Sequence, residues 1–187
     1  MLFRSIAVHE HNESRAAQDI VDILLTGKSV ALVSDAGTPA ISDPGARVVA
    51  AVRAAGFAVS PIPGASAAVA ALSASGFAYP RFLFAGFLPT RATARRAELA
   101  TLAQHQATLV FYEAPHRIAD CVVDLATVLG ANRRILIARE LTKLFEETHV
   151  CTLAEAPAWL AADGHRSKGE FVLVVEGAME EIGRAHV

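Results

Sequence analysis

The chain has 187 residues, 53% hydrophobic and 19% charged, so a substantial core can form and intrinsic disorder is excluded. With 17 Lys and Arg against 19 Asp and Glu the formal net charge is −2, so any contact with nucleic acid needs a local basic patch rather than a general cationic field. Apolar stretches such as Ala67 to Leu72 end far short of the roughly 20 residues of a membrane helix. Met1-Leu2-Phe3-Arg4-Ser5 shows no leader pattern, so a cytoplasmic protein with no membrane partner is expected. Cys121 and Cys151 lack redox or metal-ligand spacing, and the His9-x-His11 pair, with no cysteine near it, is not expected to be a metal site.

In chain order, Ala16, Ala17, Ile20, Val21, Leu24 and Leu25 recur at helical spacing, with Asn12 as N-cap and Gly27 as stop. Ser29 to Ser34 is a short apolar run suited to a buried parallel strand. Asp43-Pro44 then reads as cap and first helical residue, Val48, Val49 and Val52 as the inner helix face, and Gly56 as its end. Phe57 to Ser60 is predicted as a strand, followed by an Ala-rich helix capped by Ser66 and ending at Gly76.

A second series follows: strand Arg81–Phe87, helix Ala92–Gln104, strand Thr108–Tyr112, helix Pro115–Leu129 closed by Gly130, and strand Arg134–Arg139. Glu147–Thr152 and Phe171–Val175 are late strands around a short helix near Trp159. The alternation defines an α/β protein of two parts, 1–78 and 79–178, joined near Ala78-Tyr79-Pro80. Residues 179–187 follow a complete strand and read as a non-native tail, and the opening leaves little room for a first Gly-rich loop, so an N-terminally truncated fragment is expected.

Chemistry is expected where strands end, because ligands of open α/β sheets bind at that edge. In Ser34-Asp35-Ala36-Gly37-Thr38-Pro39-Ala40-Ile41-Ser42-Asp43-Pro44-Gly45, Asp35 is suited to a cation or a ribose hydroxyl, while Asp43 reads as a helix cap. Pro61-Ile62-Pro63-Gly64-Ala65-Ser66-Ala67 is a second loop of the same kind, one predicted strand later. Phe111-Tyr112-Glu113-Ala114-Pro115-His116-Arg117 and Ala138-Arg139-Glu140-Leu141-Thr142-Lys143 repeat the arrangement with more charge than a turn requires. Arg91 and Arg95 fall on one helix face with Arg96 beside it, a set that can meet phosphate or simply solvate the helix. From Arg81 to Arg117 five arginines face two glutamates, against the sign of the whole chain.

Together these motifs resemble the bacterial ribosomal RNA small subunit methyltransferase I family, within the tetrapyrrole-methylase-like superfamily. The resemblance rests on Ser34 to Pro39 with Ser42 to Gly45, His9-Glu10-His11-Asn12-Glu13, the Phe111–Arg117 and Ala138–Lys143 runs, and Lys168-Gly169-Glu170. It implies a class III methyltransferase fold, two α/β domains with S-adenosylmethionine (SAM) held in the cleft between them. It also implies methylation of a cytidine 2′-hydroxyl of 16S rRNA in the small ribosomal subunit, by a homodimer.

By resemblance, Asp35 and Thr38, Ser66 and Ala67, and Glu113 and Leu141 contribute to the SAM site. Glu113, His116, Arg117, Arg139, Glu140 and Lys143 remain unranked candidates for the catalytic groups, and Arg91, Arg95 and Arg96 for RNA contact. No metal is implied. Two alternatives stay open: a tetrapyrrole C-methyltransferase, acting on a precorrin or uroporphyrinogen, and a non-catalytic fragment.

Overall fold

Helical periodicity in the first part produces α1 (Glu13–Leu25) and α2 (Ala46–Ala54), which pack through Ala17, Ile20, Val21, Val48 and Val52, with Phe57 and Val59 against them. The computed structural model describes residues 5–78 and 80–179, and the chain falls into two compact units, 1–66 and 67–187. Gly27, at φ 77°, follows α1 in the left-handed conformation that its lack of Cβ permits. Asn12 occupies the N-cap position of α1, but its side chain turns backwards. Its Oδ1 accepts the His9 N–H at 2.8 Å and its Nδ2 donates to the Ala7 carbonyl at 2.9 Å.

Two expectations for this unit are corrected. The second helix starts at Ala46 behind Gly45, not at Asp43-Pro44, and its cap is supplied from α1. One Glu13 carboxylate oxygen accepts the Gly45 and Arg47 amides, both at 2.8 Å. Ser29–Ser34 and Phe57–Ser60 enter no β-ladder, and Val33 is 82% exposed. Strand structure belongs to pairs of segments, and an apolar run without a registered partner has no ladder to join.

The second unit is one five-stranded mixed sheet. After α3 (Ala67–Ala74) come β1 (Phe82–Phe87), α4 (Ala92–Leu102), β2 (Thr108–Glu113), α5 (Ile118–Leu129), β3 (Arg134–Arg139), β4 (Glu147–Thr152), α6 (Ala156–Ala161) and β5 (Phe171–Val175). The strand order is β1-β2-β5-β3-β4; β1 and β2 are parallel, and β5 runs antiparallel between β2 and β3. Alternating side chains divide the core between the two faces. Leu109, Phe111, Ile135, Ile137, Phe171 and Leu173 pack with residues of α4, α5 and α6, whereas Val110, Leu136, Ala138, Val172 and Val174 pack with Ala68 and Ala71 of α3. Covered on both faces, β5 is buried throughout.

The division between units precedes α3, twelve residues before the sequence-derived position, because α3 buries its alanines against this sheet. Pro115, His116 and Arg117 form a turn ahead of α5 rather than its first residues. Tyr79 of the expected junction and residues 180–187 of the expected tail lie outside the described residues.

Candidate functional site

The register gathers the charged motifs of the second unit on one end of its sheet. Glu113 and Arg139 both pair with Phe171, and Arg139 also pairs with Glu147. The carboxyl ends of β2 and β3 therefore share a rim with the start of β5 and the preceding Lys168-Gly169-Glu170. The parallel partner β1 brings Leu88 and Pro89 to the same end. The α3 start joins them, since the Ala68 amide donates to the Tyr112 hydroxyl at 3.3 Å.

Most of the candidate catalytic side chains on this rim are engaged in holding it. Glu113 is 2% exposed; one carboxylate oxygen accepts the Ala114 amide at 2.8 Å and stands 3.2 Å from the Arg117 guanidinium, while Oε2 is buried without a partner among the described residues. Arg117 donates to the Leu88 and Pro89 carbonyls at 2.6 and 3.1 Å, tying the turn after β2 to the end of β1. Burial, reinforced by the adjacent Glu113 carboxylate, pushes the Cys121 thiol far above its ordinary range. Arg139 is buried, donating to the Lys168 carbonyl at 3.3 Å and meeting Glu147 at 3.5 Å.

Glu140 and Thr142 hold left-handed backbone, with φ 52° and 67°, a strain that needs local enforcement. The Glu140 carboxylate accepts the Lys143 ammonium and the Glu170 amide, both at 2.9 Å, and Lys143 also reaches Glu170 at 2.9 Å. The lysine, then the Glu170 amide, holds the Glu140 carboxyl below its ordinary range; Glu140, then Glu170, raises Lys143. Gly169, at φ 93°, presses so closely on this carboxylate that a Cβ there would lie 2.6 Å from Glu140 Cδ. Leu141 is half-buried against the core on the α3 face. Of the six catalytic candidates, His116 is exposed and makes no hydrogen bond or ion pair among the described residues.

In the first unit the two predicted loops meet. The Thr38 hydroxyl donates to the Ala65 carbonyl at 3.0 Å. Gly37, Ala40, Ser42 and Gly45 all take positive φ, two of them non-glycine, so this loop too is conformationally constrained. Asp35 is exposed and Ser66 half-buried, and neither side chain has a partner among the described residues. Ala67 opens α3 and thus belongs to the second unit.

The arginine set is divided. Arg95 is 4% exposed, its guanidinium 2.6 Å from Asp124 of α5, so its expected place on an exposed phosphate-binding face is corrected. A charge on an amphipathic helix is buried here because a buried counter-charge awaits it. Arg96 pairs with the other Asp124 oxygen at 2.6 Å while its side chain stays 54% exposed, and Arg91 is exposed just ahead of α4. Asp124 and Glu13 were not singled out as site residues from sequence. An aspartate inside the otherwise apolar Cys121–Leu125 stretch was the available signal for the first.

Among the described residues no group of three or more His, Cys, Asp or Glu is placed to hold a metal ion, and no helix is long and apolar enough to cross a membrane. A mixed α/β sheet with strained, polar strand-end loops defines the class, and the chain belongs to the Tetrapyrrole (Corrin/Porphyrin) Methylases, whose family model matches residues 4–157. It is similar to the ribosomal RNA small subunit methyltransferase I of Xylella fastidiosa (strain Temecula1), at 53% identity over 176 residues covering 94% of this chain and 64% of that protein. The protein of the same name from Vibrio cholerae is 50% identical over 174 residues, covering 93% of this chain and 60% of the relative. The chain thus spans less than two thirds of the length of these relatives.

Solved structures share the fold at low identity. The methyltransferase CobJ aligns with a TM-score of 0.65 at 22% identity, covering 89% of this chain and 72% of CobJ. A uroporphyrin-III C-methyltransferase from Thermus thermophilus complexed with S-adenyl homocysteine aligns at 0.55 and 15%, covering 85% and 72%.

Proposed function

We propose that the protein is a SAM-dependent methyltransferase acting on a cytidine ribose 2′-hydroxyl of 16S rRNA in the small ribosomal subunit, in the cytoplasm. The observation that carries this reading is the 53% identity, across 94% of the chain, to a protein named for ribosomal RNA small subunit methylation. The residues present fit the methyl donor. Asp35 offers an unpaired carboxylate for a ribose hydroxyl or the amino-acid ammonium, and Ser66 an unpaired hydroxyl, on loops whose backbone is already constrained. When bound, SAM supplies a methyl group already activated by its sulfonium.

The chain's own residues then have two tasks. The first is to remove the 2′-hydroxyl proton as its oxygen attacks. Exposed and unpaired, His116 is the group best suited to that task, on a turn that Glu113 and Arg117 tie to the β1 end. Arg139, Glu140 and Lys143 keep the neighbouring rim rigid and serve as positioning groups. The second task is to hold an anionic substrate, for which Arg91 and the exposed part of Arg96 are suited.

The test is transfer of labelled methyl from SAM by the complete gene product, with small ribosomal subunits and uroporphyrinogen as competing acceptors. Label in the RNA of the subunit is the expected result. Label in the tetrapyrrole alone would replace this reading with C-methylation, and no transfer to either would remove it.

A further inference from the structure

The His9–Glu13 motif has no place in the chemistry above, yet Glu13 makes contacts that a surface helix does not require. Its carboxylate is nearly buried, with its side chain 11% exposed, on the first turn of α1. Both of its short bonds leave that helix, to the amides of Gly45 and Arg47. Those amides, Arg47 first, hold the carboxyl below its ordinary range, so it is ionised at neutral pH. Asp43, the nearest carboxylate in sequence, makes no bond among the described residues.

Gly45 closes the loop that begins at Asp35, and it is tightly seated. A Cβ there would meet Leu32 Cδ2 at 2.9 Å and Ala40 Cβ at 3.3 Å. Ala40 and Ser42 hold φ 66° and 61°, conformations that non-glycine residues keep only when the surroundings impose them. The loop is therefore pinned at two points: Thr38 to Ala65 near its start, and the Gly45 amide to Glu13 at its end. Between them the packing of Gly45 on Ala40 carries the constraint back toward Asp35.

We propose that Glu13 is a positioning residue for the methyl donor, fixing the Asp35–Gly45 loop in its binding conformation through the Gly45 and Arg47 amides. This role rests on the methyltransferase reading above. Glu13 acts through Gly45 and needs no contact with the ligand. Replacing it frees the strained loop to relax, so the ligand must restore the conformation when it binds, and apparent affinity falls.

The experiment is calorimetric titration of the complete gene product with S-adenosylhomocysteine, together with KM values for SAM and RNA. Glu13→Ala should weaken ligand binding about tenfold to a hundredfold and raise the KM for SAM while leaving the KM for RNA nearly unchanged. Glu13→Gln, whose amide oxygen accepts the same two bonds, should bind within about threefold of wild type. Glu13→Asp is one methylene too short to span both amides and should resemble alanine, which keeps the proposal testable if the alanine variant fails to fold.

Ile20→Val, in the α1–α2 core and away from the loop, provides the control for stability alone. It should lower the melting temperature yet bind as wild type. Wild-type binding with Glu13→Ala within about twofold of it would overturn the positioning role, as would an equal loss of affinity in Ile20→Val. Absence of wild-type binding would instead overturn the methyltransferase reading on which the role rests.

Discussion

Replacing Asp124 with alanine removes the counter-charge of two arginines at once, and their unequal burial sets the expected cost. Arg95 and Asp124 are 4% and 3% exposed at the side chain and 2.6 Å apart. Without the carboxylate, the Arg95 guanidinium keeps a single acceptor among the described residues, the Thr90 carbonyl at 3.2 Å. Leaving one partner of a buried pair uncompensated costs about 3–5 kcal/mol, a large part of the 5–15 kcal/mol that holds a domain folded. Arg96, more than half exposed, adds only about 0–1 kcal/mol. Urea denaturation followed by circular dichroism should show Asp124→Ala destabilised by about 3 kcal/mol or more and Arg96→Ala by less than about 1. Arg95→Met combined with Asp124→Leu should recover much of the loss, since an apolar pair needs no desolvation. An Asp124→Ala variant within about 1 kcal/mol of wild type, or an Arg96→Ala variant equally unstable, would refute the assignment of Arg95 as a structural charge.

Exposed arginines should behave differently: Arg91→Ala and Arg96→Ala should each flatten the salt dependence of RNA binding by about one unit of log–log slope, read by filter binding across salt concentrations. Gly169→Ala forces a Cβ onto the Glu140 carboxylate at positive φ and should cost about 1–3 kcal/mol in the same denaturation assay. The Glu140–Lys143 pair should loosen at both extremes of pH. Its carboxylate contribution is complete above the ordinary carboxylate pKa and fades as pH falls through the lowered value. The lysine contribution is complete below the ordinary lysine pKa and fades as pH rises through the raised value. Amide exchange at residues 140–146 should therefore be slowest between these limits after correction for intrinsic rate. Cys121 should resist thiol reagents at pH 8 until the protein is denatured; rapid modification of the native protein would contradict its buried environment.

The late strands were legible because local pattern and tertiary environment agree. Arg134–Arg139, Glu147–Thr152 and Phe171–Val175 carry β-branched and apolar runs bounded by turns, and each became a strand with the expected limits. Ser29–Ser34 has the same local character but enters no ladder, because pairing is not a local property. The charged strand-end motifs were visible as clusters, whereas their division of labour was not. Whether Arg117 reaches solvent or the Leu88 carbonyl depends on the packing of β1 beside β2, which spacing does not encode. The role of Glu13 is not legible from spacing, because its partners lie 32 and 34 residues away. Arg95 escaped for a related reason: helical periodicity places it on a face, but only the neighbouring α5 decides that the face is covered.

Methyl transfer to a ribose oxygen of cytidine in 16S rRNA is the proposed reaction. It is tested most directly by nuclease digestion and mass spectrometry of 16S rRNA from unmodified small subunits, after incubation with the complete gene product and deuterium-labelled SAM. Labelled 2′-O-methylcytidine is expected at a single position, abolished or reduced at least about a hundredfold by His116→Ala. Label confined to a base carbon or nitrogen, or RNA left unlabelled by an enzyme that binds S-adenosylhomocysteine, would contradict it.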